Sequence, residues 1–168
     1  MLANGDIPIT NLTRAARPVQ VLENLTGQGR AEQFADASSL PGLLDIGRLN
    51  GRGLAAADFD NDGNIDIAIN QIGGPLVLLK NTNTTGHWLE VSLTGFHPGA
   101  VVTAVLPDGR RLVRELHAGS SYESSEDPRA FFGLGRATTV TSLTFQLPNG
   151  SETRLINVVG DRIVTVTP

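Results

Sequence analysis

Residues 53–70 read Gly53-Leu-Ala-Ala-Ala-Asp58-Phe-Asp60-Asn-Asp62-Gly63-Asn64-Ile-Asp66-Ile-Ala-Ile-Asn70. The carboxylates stand at positions 1, 3, 5 and 9 of a loop that begins at Asp58, and Gly63 stands where the loop must bend sharply. Ca²⁺ takes about six to eight oxygen ligands, and this spacing supplies most of them. We therefore predict a calcium site; its ligands are Asp58, Asp60, Asp62, Asp66 and the backbone carbonyl of Asn64. The alternative is a solvated acidic turn, but four carboxylates this close repel one another without a cation.

The residues after the loop indicate a β-strand rather than a helix. Ile65, Ile67 and Ile69 alternate with polar or small residues, and a period of two is typical of a strand. An EF-hand needs a bidentate Glu at position 12, where this sequence has Ile69. Mg²⁺ fits less well, because it keeps several waters and takes few protein ligands. The loop is therefore predicted to connect two strands.

Composition narrows the class of protein. With 168 residues, 40% of them hydrophobic and 18% charged, the chain is long enough to form one folded domain or two small ones. The net charge of −4 and the lack of a basic cluster argue against a nucleic-acid partner. There is no cysteine, and apolar runs such as Pro75 to Leu79 are far shorter than the roughly 20 residues of a membrane span.

The rest of the chain predicts an all-β fold, because short β-rich runs are separated by turn residues. The dipeptides Asp108-Gly109 and Asn149-Gly150 indicate hairpins with two-residue turns. A helical turn or two is expected within 38–49. The strands are predicted near Val19–Glu23, Gln33–Ala37, Gly53–Asp58, Ile65–Asn70, Pro75–Asn81, Trp88–Leu93, Ala100–Leu106, Arg110–Ala118, Ala130–Gly133, Val140–Leu147, Thr153–Val158 and Arg162–Val166.

Residues 53–70 resemble an FG-GAP (VCBS-type) repeat, the blade unit of integrin-like β-propellers. In that family the aspartates at positions 1, 3, 5 and 9 hold the calcium ion. The second half of the chain resembles the ASPIC/UnbV domain found after such repeats in the cartilage acidic protein family and its bacterial relatives. The residues that carry this second resemblance are His87-Trp88-Leu89, Leu93-Thr-Gly95, Gly99-Ala100, Gly119-Ser-Ser-Tyr122, Phe132-Gly133-Leu134-Gly135 and Pro148-Asn-Gly150.

The resemblance implies two domains. Residues 1–85 correspond to a blade region with the calcium loop, and residues 86–168 to a transthyretin-like β-sandwich of about seven strands. A single repeat does not close a propeller, since repeat folds generally need three or more units. Either the chain is part of a longer protein, or other copies of the chain complete its strand edges.

These features favour a non-enzymatic, calcium-stabilised binding or adhesion module, secreted or extracellular, that contacts protein or glycan. Residues 1–7 lack the pattern of a signal peptide, so an export signal is expected upstream or already removed. The alternative is a structural subunit that assembles through strand edges into an extracellular fibre, filament or surface layer. No catalytic residue or nucleotide motif is predicted, and residues 119–127 are expected to form a solvated connection rather than a sugar or cation site. Trp88 is expected to anchor the core of the second domain.

Overall fold

The computed structural model describes residues 11–25, 33–39, 43–83 and 86–168. Within them the chain is all-β, apart from the four-residue helix α1 (Leu12–Ala15) and a 3-10 turn at Leu44–Ile46. The strands are β1 (Arg17–Pro18), β2 (Leu22–Asn24), β3 (Phe34–Asp36), β4 (Arg48–Leu49), β5 (Gly51–Ala57), β6 (Asp66–Gln71), β7 (Val77–Leu79), β8 (His87–Leu93), β9 (Val101–Val105), β10 (Arg111–Glu115), β11 (Ala130–Gly135), β12 (Thr139–Gln146), β13 (Glu152–Val159) and β14 (Ile163–Val166).

The twelve predicted strands are present as β2, β3 and β5 to β14, with ends that shift by a few residues, whereas β1 and β4 were not predicted. The predicted helical segment over 38–49 is reduced to the 3-10 turn in its described part, and residues 40–42 lie outside the described residues. The helix α1 was not predicted. Its N-cap is Asn11, whose side-chain oxygen accepts a hydrogen bond from the Arg14 amide at 3.0 Å.

Both predicted hairpins form, but their loops have three residues instead of two. In the first, the Gly109 amide donates to the Leu106 carbonyl and the Leu106 amide donates to the Arg110 carbonyl, each at 2.9 Å. Only Gly109 of this loop has a positive φ, +86°. Pro107 explains the difference, because a two-residue turn over Asp108-Gly109 would need the amide of residue 107 to donate to the Arg110 carbonyl, and proline has no N–H. The turn at Leu147–Ser151 repeats this pattern around Pro148 and Gly150.

Residue contacts divide the chain into two compact units. The first comprises the described parts of Met1–Ala55 with Ile67–Leu79 and Ser121–Ser124. The second, which we call the two-sheet unit, comprises Ala56–Asp66, Lys80–Ser120 and Ser125–Pro168. The predicted division into domains at residues 85 and 86 stays a prediction, since a domain is defined by independent folding as well as by contacts.

The first unit contains small sheets and a small core. The described strands form the pairs β1-β4 and β2-β3 and the three-stranded sheet β5-β6-β7. Its core is built on Val19, Leu49 and Ile69, with Val77 and Leu79 among the partly buried neighbours. Ile69 is fully buried, as its place in the alternating isoleucine pattern predicts.

The two-sheet unit has one shared hydrophobic core. One sheet has the antiparallel order β10-β9-β12-β13; in the other, β11-β8-β14, strand β14 runs parallel to β8. Alternate residues of each strand point into the core, which is the arrangement expected for facing sheets. The buried core residues are Leu89, Val91, Leu93, Ala100, Val102, Ala104, Leu106, Leu116, Ala130, Phe132, Leu134, Val140, Leu143, Phe145 and Val166.

The alternation of side chains along β8 gives the β11-β8-β14 sheet a second face, which points away from the shared core. Leu89, Val91 and Leu93 enter the shared core, so the alternation places Trp88 and Glu90 on the opposite face of the sheet. We call this the outer face of the β11-β8-β14 sheet.

Candidate metal site and its support

The loop between β5 and β6 is organised by the buried carboxylate of Asp58. Its Oδ1 accepts a hydrogen bond from the Asp62 amide at 3.0 Å, and its Oδ2 accepts one from the Gly63 amide at 2.7 Å. Gly63 has φ +89° and Asn61 has φ +59°, so the chain turns through two left-handed residues. Gly63 therefore lies at the bend that the sequence predicted, and the turn closes around the first aspartate.

Asp66, the first residue of β6, closes the other end of the loop and is 2% exposed. Its Oδ2 accepts from the Phe59 amide at 3.3 Å, and its Oδ1 accepts from the Asn81 amide at 2.7 Å. Two buried carboxylates thus hold the loop by backbone hydrogen bonds.

Asp58, Asp60 and Asp66 offer oxygen atoms that all lie within 4.8 Å of one another, so this triad could hold a metal ion. Carboxylate oxygens are the ligands that hard cations such as Ca²⁺ prefer. The residues present therefore fit such an ion. Asp58 and Asp66 are buried and each accepts from two backbone amides, so the loop is an ordered structure rather than a merely solvated acidic turn.

The other two predicted ligands lie in the same loop but outside this triad. Asp62 Oδ1 accepts from the backbone amide of Asn64 at 2.9 Å and from its side-chain amide at 2.8 Å. The predicted role of the Asn64 carbonyl stays a prediction. Asp62 belongs to the loop's own hydrogen bonding here, and its Oδ2 faces Lys80 at 3.5 Å.

Lys80 supplies the positive charge nearest to the acidic loop. Its Nζ contacts Asp60 Oδ2 and lies close to Asp62. The contact with Asp60 raises the pKa of the Lys80 ammonium above its usual value, against the opposing effect of burial. Lys80 and Arg129, which contacts the loop at Asn61 and Asp58, balance only part of the charge of the four carboxylates, so the loop keeps a net negative charge that suits a divalent cation.

The loop packs on the outer face of the β11-β8-β14 sheet through the Trp88 indole. A Cβ added at Gly63 would overlap that ring, so the backbone of the loop lies directly on the indole. The ring of Trp88 in turn stacks on Phe131, with centroids 6.3 Å apart and planes 8° from parallel. The prediction that Trp88 anchors the core was wrong, because strand alternation places it opposite Leu89 and the core.

Glu90 is a buried acidic residue that sequence reasoning missed. Its side chain is 1% exposed, and its Oε2 lies 2.7 Å from Arg129 Nη1 without the alignment of a hydrogen bond. Burial raises the pKa of Glu90 to about 7, although Arg129 pulls it down. The sequence signal was a Glu between the apolar residues Leu89 and Val91, which by itself predicts an exposed residue on the outer side.

Arg129 and Asp127 complete this polar cluster. The sequence placed Asp127 in a solvated connection, but its Oδ2 accepts from Arg129 Nε at 2.8 Å and the pair is mostly buried. Arg129 carried no predicted role. Within the predicted connection over residues 119–127, Ser121 and Ser124 form an isolated β-bridge.

Comparison with known proteins gives a family match in the second half of the chain. Residues 94–168 match the family described as "ASPIC and UnbV", which agrees with the resemblance drawn from residues 87–150. The chain is also similar to "Cartilage acidic protein 1" of Xenopus tropicalis, at 35% identity over 78 residues. That similarity covers 45% of this chain and 12% of the frog protein, so the chain corresponds to a small part of its relative. In the part of the chain that the structure describes, no helix is both long and apolar enough to cross a bilayer.

Proposed function

We propose that this chain is a non-enzymatic, calcium-stabilised binding or adhesion module of an extracellular protein. The observation that carries the proposal is the convergence of Asp58, Asp60 and Asp66, with Asp58 and Asp66 buried beside backbone donors. Ca²⁺ suits this set of oxygen ligands better than Mg²⁺. The ion braces the β5–β6 connection and adds its binding free energy to the stability of the fold.

The proposal includes the architecture that the resemblance implies. Residues 1–85 form an FG-GAP-like blade region, and residues 86–168 form a transthyretin-like β-sandwich. The match of residues 94–168 to the ASPIC and UnbV family and the acidic loop that precedes it in the sequence support this arrangement. An extracellular location follows from the calcium proposal, because sites with affinities of about 10⁻⁴ to 10⁻³ M are filled only outside the cell.

A cleft of about 460 Å³ beside the loop is the place where we expect the partner to bind. Asn81, Asn83, His87, Trp88 and Asp161 contribute to its lining, so amide, carboxylate and aromatic groups face one space. His87 Nδ1 lies 2.7 Å from Asp161 Oδ2, which holds the imidazole in place. This mixture of groups suits a glycan or a polar protein loop better than an apolar ligand.

The calcium proposal is tested by thermal unfolding of the wild type and Asp60→Ala, each in Ca²⁺ and in chelator. With a dissociation constant of about 1 mM, 10 mM Ca²⁺ adds about 1.4 kcal/mol, which raises the wild-type melting temperature by about 3–6 °C. Asp60→Ala should lose this rise, whereas Asp108→Ala, which changes a hairpin carboxylate, should keep it. Four identical melting curves for wild type and Asp60→Ala would reject calcium binding.

Partner binding is tested with labelled protein on immobilised matrix glycans and proteins, in Ca²⁺ and in chelator. The proposal expects retention that requires Ca²⁺ and weakens in His87→Ala, whose melting temperature serves as the folding control. Retention that neither chelator nor His87→Ala reduces would contradict the cleft as the contact surface.

A second candidate is self-assembly through the strand edge of β7. Within the described residues β7 pairs only with β6, and the apolar side chains of Leu76 and Leu78 are 64% and 52% exposed. An exposed apolar edge strand can pair with another chain. Sedimentation velocity at micromolar concentration, with negative-stain images, should show higher assemblies that Leu78→Lys reduces. Compact monomers for the wild type would exclude this alternative.

A further inference from the structure

We propose that Arg129 is a positioning residue: it holds the calcium loop in its binding conformation and joins metal binding to the stability of the two-sheet unit. The inference rests on the proposed function, because the cation concerned is the Ca²⁺ assigned to Asp58, Asp60 and Asp66. Arg129 itself contributes no ligand atom. It acts through the backbone and side chains that surround the site.

One side of the guanidinium contacts the loop. Nη1 donates to Asn61 Oδ1 at 2.7 Å, and Nη2 donates to the backbone carbonyl of Asp58 at 2.9 Å. Asn61 has φ +59°, a conformation that a residue other than glycine adopts at a cost, and the bond to its side chain helps to hold it there. The bond to Asp58 fixes the backbone of the residue whose carboxylate organises the turn.

The other side of the guanidinium contacts the two-sheet unit. Nε donates to Asp127 Oδ2 at 2.8 Å, Nη2 approaches the same carboxylate, and Nη1 lies 2.7 Å from Glu90 Oε2. Four of the five side-chain contacts are hydrogen bonds, and the fifth, to Glu90, is an ion pair. Asp127 also accepts a hydrogen bond from the Arg129 backbone amide at 2.9 Å. Asp127 therefore holds both the backbone and the side chain of Arg129.

These contacts explain why an arginine stands at this position. Its planar, forked donors reach four groups in different directions, whereas a lysine ammonium carries the same charge at one point. Arg129→Lys should therefore keep the charge but lose most of the bridge between Asn61 and Glu90. Lysine separates the effect of charge from the effect of geometry.

The sign of the effect on calcium affinity decides whether Arg129 positions the loop. A positive charge near a divalent cation repels it, so simple electrostatics predicts that Arg129→Gln binds Ca²⁺ more tightly than the wild type. Positioning predicts the opposite, because the ligands lose the support that orients them. Loss of such outer support typically lowers metal affinity about 10–100-fold.

The experiment measures Ca²⁺ affinity by titration calorimetry for the wild type, Arg129→Gln and Arg129→Lys. The matched control is Arg114→Gln, since Arg114 donates to the Phe131 carbonyl at 3.0 Å and lies over the Phe132 ring without a contact to the loop among the described residues. We expect weakening of about 10-fold or more for Arg129→Gln, a similar direction for Arg129→Lys, and a change below about 2-fold for the control. Equal or tighter binding by folded Arg129→Gln overturns the inference.

Hydrogen exchange in chelator gives a readout that needs no metal. The amides of Asp62 and Gly63 donate to Asp58, and we expect the exchange of both to accelerate in Arg129→Gln by a larger factor than that of core amides such as the Val91 amide. Unchanged loop amides would overturn the inference even if the wild type bound no Ca²⁺, which would reject the proposed function separately.

A milder variant covers the case in which Arg129→Gln does not fold. Asn61→Ala removes one contact of the guanidinium without leaving a buried charge unpaired, and its loop amides should also lose protection. Full protection in Asn61→Ala, together with wild-type calcium affinity, would argue against the bridge.

Discussion

The contact between Gly63 and the Trp88 indole can be tested by the substitution Gly63→Ala. Gly63 has φ +89°, and an alanine forced into such a left-handed conformation costs about 1–2 kcal/mol. The added Cβ would also overlap the indole, so the ring or the loop must move. Overpacking of this kind costs about 1–3 kcal/mol. The free energy of unfolding should therefore fall by about 2–5 kcal/mol, the sum of these two effects.

Gly109→Ala is the matched control for the backbone part of that cost. Gly109 lies in the same unit with φ +86°, and an added Cβ there meets nothing within 4 Å. Its substitution should cost only the conformational part, about 1–2 kcal/mol. The difference between the two variants isolates the overlap with Trp88.

Urea unfolding followed by tryptophan fluorescence measures both variants. Trp88 is the single tryptophan of the chain, so the signal reports on the two-sheet unit. Gly63→Ala should have the lower midpoint at an unchanged slope. Equal losses for the two variants, within about 0.5 kcal/mol, would refute the packing of the loop on the outer face.

Two further predictions concern charge. Burial raises the pKa of Glu90 from 4.5 to about 7, so the folded state keeps a proton that the unfolded state has lost, and stability falls as pH rises from 4.5 to 7. The free energy of unfolding of Glu90→Gln should lack this decline, so between pH 4.5 and pH 8 it should rise by up to about 3 kcal/mol relative to that of the wild type. Urea unfolding in chelator measures both proteins across this pH range. Parallel pH profiles would contradict the prediction. Lys80→Gln removes the ammonium beside Asp60 and should tighten Ca²⁺ binding about 5-fold by calorimetry, an effect that salt reduces. Equal affinity at low salt would show that Lys80 does not compete with the ion.

The strands and the acidic loop could be predicted because their signals are local. Ile65, Ile67 and Ile69 show the period of two that strands require, and Ile69 is fully buried. The spacing of Asp58, Asp60 and Asp66 around Gly63 is short enough for one turn to bring the carboxylates together. The hairpins were predicted for the same reason, and only the length of their loops was missed, because Pro107 and Pro148 restrict the turn type.

The support of the loop could not be predicted in the same way. Arg129 reaches the Asp58 carbonyl across 71 residues of sequence, and no local pattern distinguishes it from an exposed arginine. Glu90 alternates with core residues in β8, so its pattern predicts exposure, whereas the structure buries it beside Arg129. Trp88 was assigned to the core because large aromatic residues usually lie there. The alternation of side chains along β8 instead places Trp88 on the outer face.

The sequence alone thus determined which residues form the strands and which carboxylates surround the loop, since both depend on spacing along the chain. The tertiary structure decided what the loop rests on: the indole of Trp88, the buried Glu90 and the guanidinium of Arg129. These groups meet only when β8, β11 and the loop pack together. Burial then raises the pKa of Glu90, and the surrounding acceptors determine where the Arg129 donors point. Such long-range packing follows from the whole fold rather than from any short pattern.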